Sequence, residues 1–274
     1  MATVDRRVLP GFSLTLGYSV FYISLLVLLP IMACFLKASS LSFDQFWNAV
    51  WTARARAAYL LTFGAAFAAA LANVLLGLLI AWVLVRYRFP GKRIVDALVD
   101  LPLALPTAVA GLVYSGLYVE KGWLGQYLVP LGIQGAYSRF AIILVLIFVG
   151  LPFVVRTVQP ILEELDPEYE EAGASLGGTR WQTFKHVIFP TLLPALTTGF
   201  ALAFARGIGE YGSVVFVSGN MPYKTEIAPI LIVARLEEFA YSEATAIAAV
   251  LLVVSFALLA LIHRLERWSV RHER

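Results

Sequence analysis

Two oppositely charged residues, Arg206 and Glu210, lie four positions apart inside an apolar stretch of the sequence. On a helix this spacing puts both side chains on one face, where they can form an ion pair. An ionised side chain at membrane depth is costly, so each charge is expected to pair or to face water. Two interpretations are open: a structural ion pair that neutralises itself, or an arginine that lines or gates a path for an anion.

Glycines cluster around this charge pair, and Gly207, Gly209 and Gly212 formally match the G-x-G-x-x-G pattern of dinucleotide sites. Such a site needs a preceding strand and a βαβ unit, which the sequence does not predict here. The glycines are instead expected to loosen a membrane helix, and a broken backbone is tolerated there only where protein covers it or where it lines a cavity. We therefore predict that Gly209, Glu210, Gly212 and Ser213 belong to a translocation pathway.

Two further patterns are typical of enzymes but lack the necessary context. The segment 173–177 fits G-x-S-x-G around Ser175, yet a nucleophile elbow needs a strand, a turn and a helix on a sheet. Gly91 and Lys92 do not complete a P-loop, because Arg93 follows them. We expect no catalytic residue, no metal site and no cofactor in this chain, which cannot hydrolyse ATP through that motif.

The composition indicates an integral membrane protein. Of the 274 residues, 60% are hydrophobic and only 14% are charged, and the mean hydropathy is +0.80. A chain this apolar is far from the usual balance of a soluble protein. We predict one transmembrane domain over residues 1–274, with its basic residues at segment ends beside anionic lipid headgroups. The net charge of +3 does not indicate nucleic-acid binding.

Six apolar segments pass the length test for a membrane-spanning helix, which needs about 20 residues. They are Phe12–Leu36, Ala57–Val85, Leu98–Tyr118, Phe140–Val155, Leu192–Val217 and Ala244–His263. The fourth is short, so it either continues through Arg156 to Ile161 or stands nearly upright and bends at Pro152. The sequence therefore predicts an all-α membrane protein with six transmembrane helices.

Two prolines, Pro102 and Pro106, fall inside the third of these segments. Each removes a backbone hydrogen bond and bends the helix, which frees carbonyl groups that need partners or water. The bend is either part of a gate or cavity wall, or a static kink that neighbouring helices stabilise. Both prolines are therefore candidate pathway residues.

The distribution of basic residues predicts the orientation of the chain. The larger set lies at one group of segment ends: Arg6, Arg7, Arg86, Arg88, Lys92, Arg93, Arg156, Arg180, Lys185, Arg264, Arg267, Arg271 and Arg274. The smaller set lies at the opposite ends: Lys37, Arg54, Arg56, Lys121, Arg139, Lys224 and Arg235. Because the cytoplasmic side carries the excess of positive charge, both termini are expected in the cytoplasm, which agrees with an even number of spans.

The longest cytoplasmic segment, about 156–190, predicts two short helices joined by a glycine turn. Asp-Pro at 166–167 forms a helix start, and Gly-Gly at 177–178 ends that helix. Thr179 then begins a second helix with a capping box, and Pro190 closes the segment. Whatever couples this protein to an energy source is expected in this segment.

One apolar stripe on the first of these helices needs a surface to pack on. It contains Tyr169, Ala172, Gly173 and Leu176 at helical spacing. An apolar stripe outside the bilayer is unfavourable unless something covers it. Either it packs on the ends of this chain's own helices, or it docks on another protein.

This segment resembles the EAA loop of bacterial ABC importer permeases, whose pattern is E-A-A-x3-G-x9-I-x-L-P. The sequence has Glu171-Ala172-Gly173, then Gly177, then Val187-Ile188-Phe189-Pro190, with the full spacing. The departures are Gly173, Val187 and Phe189, which are all small or apolar exchanges. The resemblance implies a type I ABC importer permease whose coupling loop docks in a groove of a separate ATPase subunit. The candidate coupling residues are Tyr169, Glu171, Ala172, Gly173, Leu176, Gly177 and Pro190.

A second run of residues narrows the resemblance within that importer family. The run Gly209-Glu210-Tyr211-Gly212-Ser213, with Gly219-Asn220-Met221-Pro222 and Lys224-Thr225-Glu226, is similar to the sulfate/thiosulfate permeases. Molybdate permeases share a similar first part, whereas the continuation looks more like the sulfate branch and the first-named of its two permease subunits. With the run from Leu101 to Thr107, the resemblance covers about residues 59–259.

The resemblance implies a non-catalytic permease subunit of the cell inner membrane that works in a larger complex. Its partners would be two ATPase subunits that bind ATP and Mg²⁺, a second permease subunit that is expected to be a different chain, and an extracellular substrate-binding protein. Two other functions stay open: a molybdate or tungstate permease of the same class, and a secondary transporter driven by protons or sodium ions, with Arg206 and Glu210 as its coupling pair.

Overall fold

The computed structural model describes residues 12–166 and 168–272, and every regular element in that part of the chain is a helix. Within these described residues, five helices are long and apolar enough to cross a membrane: Leu14–Ala38, Ala53–Arg86, Arg139–Glu164, Arg180–Ile208 and Tyr241–Arg264. Five of the six predicted segments therefore coincide with a long apolar helix. The prediction of an all-α membrane protein is confirmed.

The third of these long helices, Arg139–Glu164, is longer than the apolar segment that predicted it. It continues past Arg156 to Glu164 and contains both Pro152 and Pro160 without a break. Of the two alternatives for this segment, the extended helix is therefore correct.

The third predicted segment, Leu98–Tyr118, is not one bent helix, and that prediction is wrong. The structure divides residues 92–118 into Lys92–Val99, Leu101–Ala104 and Thr107–Tyr118. We refer to residues 92–118 as the broken segment.

Proline chemistry explains the break. The ring of Pro106 disfavours a helical ψ at the preceding Leu105, which is extended at φ −83° and ψ 131°. Pro102 instead lies in the first turn of a short helix, where a missing amide donor costs nothing. Of the predicted segment, only Thr107–Tyr118 forms an apolar helix of more than one turn. It has 12 residues, whereas a straight span requires about 20. Five of the six predicted spans thus correspond to long helices in the described part of the chain, and the remaining one is represented only by this short helix.

The fifth predicted segment, Leu192–Val217, is also interrupted. It is replaced by the long helix Arg180–Ile208 and a separate helical turn, Val214–Val217. The predicted segment is therefore not one helix, and the chain leaves the helix at the glycines that were expected to loosen it. As a result, Glu210 lies beyond the C-terminus of the helix.

The second, third and fourth long helices form the central bundle through small residues at their crossings. A side chain at Gly77 would lie 2.7 Å from the side chain of Val154, and one at Gly199 would lie 2.6 Å from the hydroxyl of Thr157. Small residues let helix backbones approach closely, which is how helices associate in a bilayer without a hydrophobic driving force. This bundle is the frame that carries the candidate site.

The first and last long helices lie outside this bundle. None of the apolar window of Leu14–Ala38 is buried, and this helix packs against the helix that begins at Tyr241. The last helix runs over Tyr241–His272. The remaining short helices lie in the segments that connect the long helices; they are Phe43–Val50, Gly125–Leu128, the 3₁₀ turn Val129–Leu131, Glu168–Ser175 and Ala228–Glu237.

Candidate translocation pathway and coupling loop

The predicted ion pair between Arg206 and Glu210 is present, although only Arg206 is helical. Nη1 of Arg206 lies 2.5 Å from Oε2 of Glu210. Glu210 is 1% exposed, whereas the Arg206 side chain is 34% exposed. A buried carboxylate is therefore neutralised by a guanidinium that still reaches an accessible surface.

Ser213 provides a second support for this carboxylate. Its backbone amide and its hydroxyl both donate to Oε1 of Glu210, each at 2.9 Å. One oxygen of Glu210 thus has a cation and the other has two donors, which compensates the burial of the charge. Ser213 is itself buried, so these contacts fix the turn that follows the helix.

Two glycines bring this turn against the short apolar helix Thr107–Tyr118. A side chain at Gly212 would collide with the hydroxyl of Thr107, and one at Gly111 would collide with the backbone of Ser213. The two backbones meet because neither glycine carries a side chain. The break in the broken segment and the break after the fourth long helix thus lie side by side, and we call this contact the junction.

The remaining candidate pathway residues are Gly209, Pro106 and Pro102, and they lie in different surroundings. A side chain at Gly209 would meet nothing within 4 Å, and its φ is −87°, so this position does not require glycine. Pro106 immediately precedes the helix that forms the junction. Pro102 is buried in Leu101–Ala104, which packs against the third long helix.

The coupling loop begins as the sequence predicts. Oδ1 of Asp166 accepts a hydrogen bond from the amide of Glu168 at 3.0 Å, while Pro167 lies outside the described residues. The helix that follows is Glu168–Ser175, the loop helix. Pro190, the last residue of the pattern, is half-buried in the helix that returns to the membrane bundle.

The loop helix ends at a glycine turn, which confirms the predicted helix pair. Gly177 has a φ of +77°, a conformation that favours glycine, and the amide of Gly178 donates to the carbonyl of Gly173 at 3.0 Å. Thr179 then caps the next helix and forms a capping box with Gln182. The direction of the loop helix is therefore set by local backbone chemistry.

One side of the loop helix is fixed to the membrane bundle. Glu170 forms an ion pair with Arg86 at 2.6 Å, and the guanidinium of Arg86 lies 5.4 Å from the ring centre of Trp82. A Cβ at Gly173 would lie 2.8 Å from the hydroxyl of Thr183. This close approach explains why glycine replaces the second alanine of the EAA pattern.

The other side of the loop helix is not covered by the described part of this chain. Tyr169 is 57% exposed and Leu176 is 89% exposed, and Glu171 and Ala172 are exposed as well. Among the described residues, none forms an ion pair with Glu171. Of the two interpretations of the apolar stripe, packing on the chain's own helices therefore holds for Gly173 but not for Tyr169 or Leu176.

The sequence reasoning missed a charge cluster around Arg156. The guanidinium of this residue lies 2.7 Å from a carboxylate oxygen of Asp96 and 2.6 Å from one of Asp100. The four-residue spacing of the two aspartates is the signal that could have indicated a shared helix face. Their partner comes from a helix distant in sequence, which no local pattern could identify.

The run Lys224-Thr225-Glu226 anchors a loop at the other end of the second long helix. Nε and Nη2 of Arg54 donate to the two oxygens of Glu226 at 2.8 and 2.6 Å, and Glu226 is only 3% exposed. Nε of Arg139 donates to the carbonyl of Lys224 at 2.8 Å. These residues, which favoured the sulfate branch, therefore hold the loop in place.

Three features together define a membrane permease domain. They are the long apolar helices, the junction, and the loop helix with its exposed side. The family described as "Binding-protein-dependent transport system inner membrane component" matches residues 73–274. The chain belongs to this family. It is accordingly an inner-membrane protein, and its membership agrees with the resemblance of the loop.

Relatives are similar to this chain over nearly its whole length. The "Sulfate transport system permease protein CysT" of Salmonella typhimurium is 49% identical over 266 residues, which cover 97% of this chain and 96% of the relative. The protein of the same name from Synechocystis sp. is 51% identical over 254 residues, which cover 93% of this chain and 89% of the relative.

Solved structures show the same fold at much lower identity. A chain of a bacterial alginate ABC transporter, in complex with an alginate-bound periplasmic protein, superposes with a TM-score of 0.76 at 18% identity and covers 93% of both chains. A chain of the MetNI methionine ABC transporter superposes with a TM-score of 0.56 at 20% identity, over 85% of this chain and 99% of that one. The predicted type I importer permease fold is confirmed.

Proposed function

We propose that this chain is the membrane-spanning permease subunit of an ATP-binding-cassette importer for sulfate. The observation that carries the proposal is its 49% and 51% identity to two sulfate transport permeases over nearly their full length. Thiosulfate, a tetrahedral dianion of similar shape, is proposed as a second substrate. The molybdate and ion-coupled alternatives have no comparable support.

The proposed energy source is a separate ATPase that docks on the exposed side of the loop helix. Tyr169 and Leu176 offer apolar contact area, and Glu171 offers a carboxylate to a basic or amide group of the partner. Gly177 sets the direction of the helix, and Glu170 ties it to this chain. ATP and Mg²⁺ would be bound by two such ATPase subunits, while this chain supplies no catalytic group.

The proposed pathway passes the junction. Arg206 is one-third exposed there and offers positive charge to an oxyanion, while its pairing with Glu210 keeps that attraction weak enough for release. A second, different permease subunit would complete the pathway, and an extracellular binding protein would deliver the substrate. In this arrangement both termini lie in the cytoplasm.

The proposal is tested by purifying the assembled complex and measuring its selectivity. We expect an ATPase to co-purify with this chain, and we expect labelled sulfate uptake to be competed better by thiosulfate than by molybdate. Competition that is stronger with molybdate would favour the molybdate or tungstate alternative. Isolation of an active transporter without any ATPase would contradict the proposal and favour a secondary transporter.

A further inference from the structure

Arg156 uses every hydrogen-bond donor of its guanidinium within this chain. Nε and Nη2 donate to the two carboxylate oxygens of Asp100 at 2.9 and 2.6 Å. Nη1 donates to Oδ1 of Asp96 at 2.7 Å and to Oε1 of Gln159 at 2.6 Å, and Nη2 also donates to the backbone carbonyl of Asp96 at 2.9 Å. A guanidinium has five N–H donors in a planar fork, so these contacts occupy all of them.

This cluster fixes geometry more than it stabilises the fold. The Arg156 side chain is 33% exposed, and those of Asp96 and Asp100 are 41% and 48% exposed. Ion pairs between groups this exposed contribute little to stability. Four of the five hydrogen bonds, however, run from this rigid fork to Asp96 and Asp100, and they hold the two segments at a fixed distance and angle.

On one side, the cluster is attached to the coupling loop. Arg156 lies about 12 Å along the axis, or roughly two turns, before Glu164, the last residue of the helix Arg139–Glu164. Buried Leu165 and the capping residue Asp166 lead from that helix directly into the loop helix. A displacement of the loop helix therefore reaches Arg156 through the last turns of the same helix.

On the other side, the cluster is attached to the junction. Asp100 ends the helix Lys92–Val99 and precedes the break at Leu105. Beyond the break, Gly111 lies against the backbone of Ser213, which holds the carboxylate of Glu210. The broken segment thus runs from the Arg156 cluster to the candidate pathway.

We propose that Arg156 is a positioning residue that transmits displacement of the loop helix to the broken segment, and so to the junction. This inference rests on the proposed function, because only an importer driven by a docked ATPase displaces the loop helix. Because the guanidinium of Arg156 binds Asp96 and Asp100, these two residues move together with the third long helix. The extended backbone at Leu105 then lets Thr107–Tyr118 change its angle against Ser213.

The test compares transport with ATP hydrolysis in the same proteoliposomes, which contain the full importer complex. Arg156→Lys keeps the charge but has three donors and no planar fork. We expect this variant to assemble and to hydrolyse ATP, while the sulfate taken up per ATP hydrolysed falls about fivefold or more. Asp96→Asn, which leaves both bonds to Asp100 in place, should lower the same ratio less.

The matched control is Arg235→Lys. Arg235 also pairs with a carboxylate, that of Glu238 at 2.7 Å, but it lies in the short helix Ala228–Glu237, away from both the loop helix and the broken segment in the chain. Its variant should keep the wild-type ratio.

Three outcomes would overturn the inference. One is a wild-type ratio in both Arg156→Lys and Asp96→Asn. Another is an equal fall of uptake and hydrolysis that follows the amount of assembled complex, because that pattern shows a structural role alone. The third is a fall in the uptake per ATP of the Arg235→Lys control as large as that of Arg156→Lys. If Arg156→Lys does not assemble, the uptake per ATP of Asp96→Asn decides whether the inference stands. A wild-type complex that does not couple uptake to ATP contradicts the proposed function instead.

Discussion

Oε1 of Glu210 accepts two hydrogen bonds from Ser213, one from its amide and one from its hydroxyl. In a continuous helix the amide of Ser213 would donate to the carbonyl of Gly209 and would not be free for a side chain. The break after the helix therefore releases the donor that supports the buried carboxylate. Because Gly111 lies against Ser213, the same turn joins the charge pair to the broken segment.

The charge pair gives the first prediction. Arg206→Ala leaves a buried carboxylate with Ser213 as its remaining support, and Glu210→Ala leaves a cation without its partner. Breaking a buried ion pair costs roughly 3–5 kcal/mol, and the exposure of Arg206 puts the expected cost near the lower value. The double variant should be less impaired in thermal stability and uptake than Arg206→Ala. Losses in the double variant that equal the sum of the single losses would show that the two residues act separately.

Close packing at the junction gives the second prediction. Gly111→Ala places a methyl group against the backbone of Ser213, which cannot move aside as a side chain would. We expect a loss of about 1–3 kcal/mol in stability and a marked loss of uptake. Gly116→Ala is the control on the same helix, since nothing lies within 4 Å of that position. Equal thermal unfolding temperatures for the two variants would contradict the close contact.

The exposed carboxylate of the loop helix gives the third prediction. Glu171→Lys puts a positive charge where we propose that a basic or amide group of the ATPase binds, so repulsion should weaken docking. We expect this chain to reach normal abundance while the co-purified ATPase falls at least about tenfold, which corresponds to about 1.4 kcal/mol. Glu164→Lys makes the same charge change at the end of the third long helix, before the loop helix begins, and should retain the ATPase. Normal recovery of ATPase with Glu171→Lys would argue against docking at this face.

The anchored loop gives the fourth prediction. Arg54→Ala leaves the buried carboxylate of Glu226 without its bidentate partner, which should release the loop around residues 219–226. Sulfate uptake should fall, while docking of the ATPase should persist because the loop helix contacts the opposite end of that long helix. Arg56→Ala removes an exposed neighbour that lies over the ring of Trp51 and serves as the control. Protease sensitivity of the loop that is equal in both variants would contradict the anchoring role.

Local chemistry made much of the fold predictable. Apolar length identified the long helices, and the caps at Asp166 and Thr179 with the turn at Gly177 predicted the coupling loop. These features depend on residues close in sequence, so a single sequence reveals them. The pairing of Arg206 with Glu210 was predictable for the same reason, because four positions separate them.

Contacts between distant segments could not be predicted in this way. The apolar run from Leu98 to Tyr118 gave no sign of the break at Leu105, because hydropathy depends on the side chains and does not describe the backbone conformation. The contact of Gly111 with Ser213 joins a helix and a turn whose order along the chain does not fix their distance. A local pattern can also mislead. Gly209 belongs to a glycine pattern that suggested a need for glycine, but a side chain at this position would meet nothing within 4 Å.

Labelled sulfate uptake into proteoliposomes that contain this chain with its ATPase, its second permease and its binding protein shows directly whether ATP drives transport. ATP is supplied on the side of the ATPase, and parallel samples receive either a non-hydrolysable analogue or an imposed proton or sodium gradient. We expect uptake with ATP alone, in proportion to the ATP hydrolysed, and no uptake with the analogue or with either gradient. Uptake that follows an ion gradient and does not depend on ATP would contradict the proposal that this chain belongs to an ATP-driven importer.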